Sequence, residues 1–483
     1  MEMQWDKKSC PYIKTDFRQV QSQEHTLELR LTEEMPDIGR VLCAWGQPVI
    51  RSKEWRNDGM SISGGINATV LYLPEDGSGM KTVECWIPLQ NKYSFPQASR
   101  TGSIRVQPML CSIEARTISP RKMMLRGNVS ILAEALEPAS AQITHHGDLP
   151  ACVEVLTNVY PATVPVEAGE KQFVADELVS APDAHKWIHF MLQPEAVESN
   201  VIGNRLAIRG KAALHYVYLD EQGALHDGAQ EVSISQFADL DREYDKSATA
   251  DMLICVSSLE HTATSDGAHV QVGLTVQYQI WDRNLLEVTE DAYSPTCKLA
   301  VTDELLEMPV ELDSICQNMR AEWRFAEGNV LQTTFYLDQP AVFWEGNMAQ
   351  VVCSGVFQHL YLDVDGNTQS AIENWMDEIH IPVSDGCQIQ VAIDGVEKTS
   401  SGANLDLKIR TCAMQRMPMV TAITVGEYYP QDPGKATLVL RRMDEGSLWS
   451  LAKATGSSMK AIRMANRLTE DPLPGQMLLI PVL

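Results

Sequence analysis

Two stretches of the chain alternate apolar and polar residues with a period of two. In one, Val270, Val272, Leu274, Val276, Tyr278 and Ile280 interleave with His269, Gln271, Gly273, Thr275, Gln277 and Gln279. In the other, Leu405, Leu407 and Ile409 interleave with Asn404, Asp406, Lys408 and Arg410. That period predicts strands with one buried and one wet face, so Leu274 is assigned to the core and Thr275 to solvent. A turn of the form Tyr-Leu-x-x-x-Gly closes such a strand at Tyr72–Gly77, Tyr218–Gly223 and Tyr361–Gly366. The glycine supplies the positive φ of a hairpin and the acidic residues keep its tip in water.

The turns belong to a longer repetition. Gln-Pro occurs at Gln47-Pro48, Gln193-Pro194 and Gln339-Pro340, evenly spaced along the chain, with a copy out of register at Gln107-Pro108. Ile87, Ile234 and Ile381 follow, again evenly spaced, and Cys111, Cys255 and Cys387 open further strand-like runs. Four landmarks in one order predict three tandem antiparallel β-sandwich-like modules of about 100–110 residues each. Acidic segments ending in proline, at Thr32–Pro36, Asp176–Pro182 and Asp303–Pro309, read as short helices before each module. The chain then divides into an N-terminal segment 1–27, module 1 at 28–137, a connector 138–175 and module 2 at 176–286. Module 3 with its preceding connector takes 287–425, a linker 426–437, and a separate unit 438–483.

The last unit changes character. Leu438-Val439-Leu440 is a short apolar run, and Leu448, Leu451, Ala452 and Thr455 follow helical spacing. Gly456 ends that helix, Ser457 or Ser458 caps the next, and Met459, Ile462 and Ala465 share its face. Pro474-Gly475 turns into Met477–Pro481. Six basic and four acidic residues make the unit net positive on a chain of formal charge −25. That overall charge repels phosphate and argues against nucleic acid or an anionic bilayer as a partner.

No apolar core follows Met1–Lys8, as a secretory signal would require, and no stretch approaches the apolar length of a membrane helix. Eleven cysteines without a CxxC pair suit reduced, buried thiols and a cytoplasmic setting. Nucleotide loops, HExxH and a nucleophile elbow are all missing from the sequence. His185 and His189 stand in a segment where Ile188, Phe190 and Leu192 alternate as in a strand, so they read as a strand pair about 13 Å apart and not as metal ligands. The reading is non-enzymatic, with no catalytic residue, metal or cofactor.

Ser447–Lys453, Met464–Leu468 and Leu473–Pro481 resemble the three sequence blocks of the LysM domain. The resemblance implies a βααβ fold and a shallow groove for N-acetylglucosamine-containing glycans such as peptidoglycan. Carried over here, the groove comprises Glu445, Gly446, Ser447, Leu448, Asn466, Arg467, Leu468, Leu473 and Pro474. The family's Gly-Asp-Thr stands here as Glu445-Gly446-Ser447, in the loop whose backbone contacts the sugar in glycan binders. Trp449 and Arg463 are residue types that dominate protein interfaces and are the candidates for a protein partner. The repeats, over residues 28–483 with the tail included, resemble the SPOCS-domain proteins of spore-forming clostridia. That resemblance implies a mother-cell scaffold at the forespore surface that helps lay the spore coat by binding a coat basement-layer ATPase. Peptidoglycan binding through the tail is the alternative.

Overall fold

The computed structural model describes residues 5–95, 102–146, 149–150, 152–310, 316–324, 328–383, 387–399, 402–429, 437–443 and 446–482. The protein is mainly β; among the described residues every strand pair is antiparallel and two short helices lie near the C-terminus. One plan recurs three times up to Tyr428. A long leading strand is followed by a meander, then by a hairpin whose last strand returns along the leading strand.

In the first repeat these are β1 (Trp5–Arg30), β2 (Ile38–Arg56), β3 (Gly59–Pro74), β4 (Lys81–Ser94), β5 (Ser103–Ser119) and β6 (Lys122–His146). The β2-β3-β4 sheet packs on the β1-β6-β5 sheet around Ile62, Ile66, Tyr72, Leu125, Val129 and Ile131. The second comprises β7 (Glu154–Ser180), β8 (Lys186–Leu219), β9 (Leu225–Tyr244), β10 (Thr249–Thr264) and β11 (Gly267–Tyr293). Here β8 doubles back on itself. The rings of Trp187 and Tyr218, near its opposite ends, lie 5.5 Å from each other, and Gly203 takes the left-handed conformation (φ 61°) between them.

The third repeat holds β12 (Cys297–Val310), β13 (Cys316–Arg324), β14 (Asn329–Leu337), β15 (Ala341–Glu345), β16 (Met348–Leu362), β17 (Thr368–Ile381), β18 (Gln388–Thr399) and β19 (Gly402–Tyr428). The C-terminal unit adds β20 (Leu438–Arg442), α1 (Leu448–Thr455), α2 (Met459–Asn466) and β21 (Met477–Pro481).

The leading strands fall in the segments read as an N-terminal segment and connectors. β1 pairs with β6 from Trp5–His146 to Arg30–Lys122, so the cut at 27/28 lies inside a strand. β7 pairs with β11 along its whole length and occupies most of 138–175. Two of the three expected helices are strand: Asp176–Ser180 belongs to β7 and Asp303–Pro309 to β12, while Thr32–Pro36 is a turn. A helix of five or six residues is marginal alone, whereas these segments gain a ladder partner from the far end of their repeat.

Strand register shows which landmarks are equivalent. Tyr72 faces Val41 and Tyr361 faces Val330, and the hairpins close at Arg56–Gly59 and Glu345–Met348. All four positions keep one constant offset between the first and third repeats, so the tyrosine turn is a true landmark. Pro48 faces Ile66, but the matching pair in the third repeat is Leu337–Gly355. Pro340 comes three residues later, in the break between β14 and β15, and is not equivalent to Pro48. The isoleucines drift as well. Ile87, Ile234 and Ile381 face Ile66, Gly210 and Ala349, which precede their tyrosines by six, eight and twelve residues. Cys111 occupies a bulge of β5, Cys255 faces Thr275 within β10, and half-buried Cys387 precedes β18. What recurs among these is a buried face rather than a fixed site.

The three repeats meet at a common centre. Leu42 and Leu331, each at a β-bulge, join Ile188, Leu71, Val217 and Leu360 in one cluster. Trp45 of the first repeat stacks on His189 of the second at 5.7 Å and donates from Nε1 to Gln332 Oε1 of the third at 3.2 Å. Gln358 Nε2 returns a bond to the Ala44 carbonyl at 3.0 Å. His189 is thus on a strand and buried, as one ring of an inter-repeat stack.

Contact between repeats also overturns the wet face of β11. Thr275, Gln277 and Gln279 are 7%, 1% and 5% exposed. The first repeat covers them: Gln277 accepts from Val106 N and donates to Val106 O, both at 2.8 Å, and Gln279 accepts from Arg105 Nη1 at 3.1 Å. Alternation distinguishes the two faces of a strand but cannot say that a second module will cover the polar one. Leu274 is fully buried, so Leu274→Ala is expected to cost about 2–5 kcal/mol in denaturant melts. Thr275 lines a cavity of about 270 Å³ between the repeats. Its replacement by alanine should therefore cost about 1 kcal/mol rather than be silent.

Candidate functional site

The C-terminal unit is built by local rules. Ser447 caps α1, its Oγ accepting from Ser450 N at 3.2 Å, and Gly456 ends the helix in the left-handed conformation (φ 64°). Ser458 caps α2 by accepting from Ala461 N at 3.0 Å. Asn466 ties α2 to β21: its Nδ2 donates to Leu479 O at 2.6 Å and its Oδ1 accepts from Leu479 N at 2.7 Å. Leu448, Ala452, Ile462, Leu478 and Ile480 form the core, with β20 and β21 paired beneath the helices.

Two loops come together above that core. Gly475 N donates to Met443 O at 2.7 Å, and Met443 N donates to Gln476 O at 2.8 Å. Gln476 also accepts from Leu473 N through its side chain at 3.1 Å. This clamp holds the β20–α1 loop against the α2–β21 loop. Gly446, Ser447, Leu473 and Pro474 stand exposed on it, Leu473 at 73%. The other expected groove residues divide by role. Leu448 is buried in the core and Leu468 packs against it, Asn466 is the α2–β21 tie, and Arg467 is the left-handed cap of α2 (φ 54°). Glu445 lies outside the described residues.

Trp449 has a different role from the one expected. Its indole is 6% exposed, packs edge-on against Tyr293 of β11 at 4.7 Å, and donates to Asp291 Oδ2 at 2.9 Å. Lys453 Nζ bonds both oxygens of the same carboxylate at 2.8 and 2.7 Å, and Tyr293 OH donates to Ser457 O at 2.8 Å. Burial raises the Asp291 carboxyl, but the Lys453 and Trp449 hydrogen bonds outweigh it and hold the group below its usual range. Trp449 is therefore a joint within the chain and not free for a partner. Arg463 pairs with Asp471 in the same unit and stays partly exposed.

The docking residues Asp291 and Tyr293 were invisible to sequence reasoning, because nothing local marks a strand end as the seat of a domain so far along the chain. The joint uses α1 and the α1–α2 turn, and leaves the paired loops open. Leu473 and Pro474 are the apolar side chains exposed there.

Among the described residues no helix is long and apolar enough to cross a membrane. No curated protein and no solved structure matches the chain. The SPOCS-like reading of the repeats rests on sequence resemblance. Residues 444–481 match the LysM domain family, and the βααβ order, the two caps and the paired loops agree with that match: the chain carries a C-terminal LysM domain.

Proposed function

We propose that this chain binds an N-acetylglucosamine-containing glycan such as peptidoglycan through its LysM groove, and that the β-repeats act as a carrier and not as an enzyme. The observation behind this reading is the division of the LysM surface. α1 is spent on docking to β11, while Gly446, Ser447, Leu473 and Pro474 are left exposed on two loops clamped to each other. None of the described groove residues is a carboxylic acid, so they offer no acid–base pair for cleaving a glycosidic bond. Sedimentation of the full-length protein with purified cell wall tests the reading. Leu473→Glu places a charge on an exposed position and should leave the melting profile unchanged. The bound fraction should fall by roughly tenfold, as for loss of a central contact. Failure of the unmodified protein to pellet, or equal pelleting of the variant, overturns the proposal.

Charge favours a second reading. The tail carries six basic and four acidic residues on a chain of net −25, which suits an acidic protein partner. Through the SPOCS resemblance that partner is a coat basement-layer ATPase, met by a mother-cell scaffold at the forespore surface. Co-purification that weakens with salt and survives Leu473→Glu would favour it over the glycan.

A further inference from the structure

The starts of the second and third repeats bring two thiols together. Cys152 precedes β7, and Cys297 opens β12. Cys297 is fully buried, faces Tyr428 across the β12–β19 pair, and lies with its Sγ 3.1 Å from Ser294 Oγ. Cys152 is half-buried and lies beside Thr296, the residue before Cys297, and Tyr428, which faces Cys297 across the strand pair. Cys152, Thr296 and Tyr428 line a solvent-open cavity of about 380 Å³ that Ser458 of the LysM domain also borders. One thiol is thus open to a reagent and the second stands behind it, out of reach of solvent.

We propose that Cys152 and Cys297 are a reversible dithiol–disulfide pair, oxidised by a small-molecule disulfide such as oxidised glutathione. The Cys152 thiolate attacks one sulfur of the reagent, forming a mixed disulfide and releasing one glutathione thiolate. The Cys297 thiolate then attacks the Cys152 sulfur and releases the second. Two thiol protons and two electrons leave the protein, and two glutathione thiols carry them. Burial raises the Cys152 thiol above its ordinary value, so the first step should quicken as pH rises. The bond would join the start of one repeat to the start of the next, four residues beyond the Tyr293 that seats the LysM domain. A link closing so long a loop restrains the unfolded chain strongly.

Full-length protein equilibrated in glutathione buffers of graded composition, digested without reduction and analysed by mass spectrometry, tests this directly. The expected product is a Cys152–Cys297 peptide pair that disappears on reduction. The oxidised protein should melt a few degrees above the reduced one, and C152S should melt at the same temperature in both buffers. The mass readout uses unmodified protein, so it does not depend on how a variant folds. A stable glutathione adduct on Cys152, a bond from Cys297 to another cysteine, or two free thiols in the most oxidising buffer would overturn the proposal.

Discussion

Arg105→Ala should destabilise the chain by about 3–5 kcal/mol, the cost of leaving a buried charge without its partner. Arg105 is 4% exposed in β5 of the first repeat. Its Nη2 donates to Asp251 Oδ2 in β10 at 2.7 Å and its Nη1 to Gln279 Oε1 in β11 at 3.1 Å, both in the second repeat. On its own repeat the guanidinium lies 3.7 Å from Glu134, which is also buried and which Arg18 approaches at 3.3 Å. Removing Arg105 leaves Glu134 and Asp251 with less compensation and opens a void between two sheets. The loss should appear as a lower urea midpoint. Arg105→Met with Glu134→Gln removes both charges while keeping most of the volume, so the pair should cost less than the two single changes summed. Additive costs would mean that the charges do not communicate and that Arg105 acts through packing.

That network marks the limit of what could be read before the fold was known. Inward-facing positions within one strand were legible: Leu274, Val272 and Val276 are fully buried. The tyrosine turn was legible too, because Tyr72 and Tyr361 occupy the same register. So was the LysM fold, since its caps at Ser447, Gly456 and Ser458 act within a few residues. What escaped depends on distant partners. β1 and β7 carry prolines and mixed burial, and only pairing with β6 and β11, far along the chain, makes them strands. The equal spacing of the three Gln-Pro pairs misled because Tyr218 and Tyr361 stand three positions closer together than Pro194 and Pro340, which moves Pro340 out of register. The role of Trp449 was not legible, because its partners Asp291 and Tyr293 lie on another repeat.

Mild acid should loosen the centre where the three repeats meet, and His189 is the residue expected to report it. Its ring is 6% exposed, stacked on Trp45, with Nδ1 3.0 Å from Thr69 Oγ1. Its Nε2 has no hydrogen-bond partner among the described residues, so a proton added there meets nothing to accept it. Burial, with a smaller contribution from nearby His261, lowers its pKa from 6.5 to about 3. The sign follows from that depression. The folded state holds the neutral ring, so the stabilisation is complete above the unfolded value of 6.5 and is lost as pH falls below it. The slope approaches about 1.4 kcal/mol per pH unit below 6.5, which gives roughly 2 kcal/mol between pH 6.5 and 4.5. His359 of the third repeat, lowered to about 4 by burial, adds in the same direction. The carboxylates held low by hydrogen bonds, Asp76, Asp220, Asp291 and Asp363, titrate below their ordinary 3.8, whereas Glu154 and Asp338, raised by burial, oppose the decline, and His25 and His215, lowered by burial, add to it. Urea melts at several pH values should show the decline in the unmodified protein. In His189→Gln, whose amide can still meet Thr69, the slope should flatten by about 1.4 kcal/mol per unit. An unchanged slope in the variant would mean that His189 is already charged in the folded state, and that the stack between the first two repeats does not exclude water.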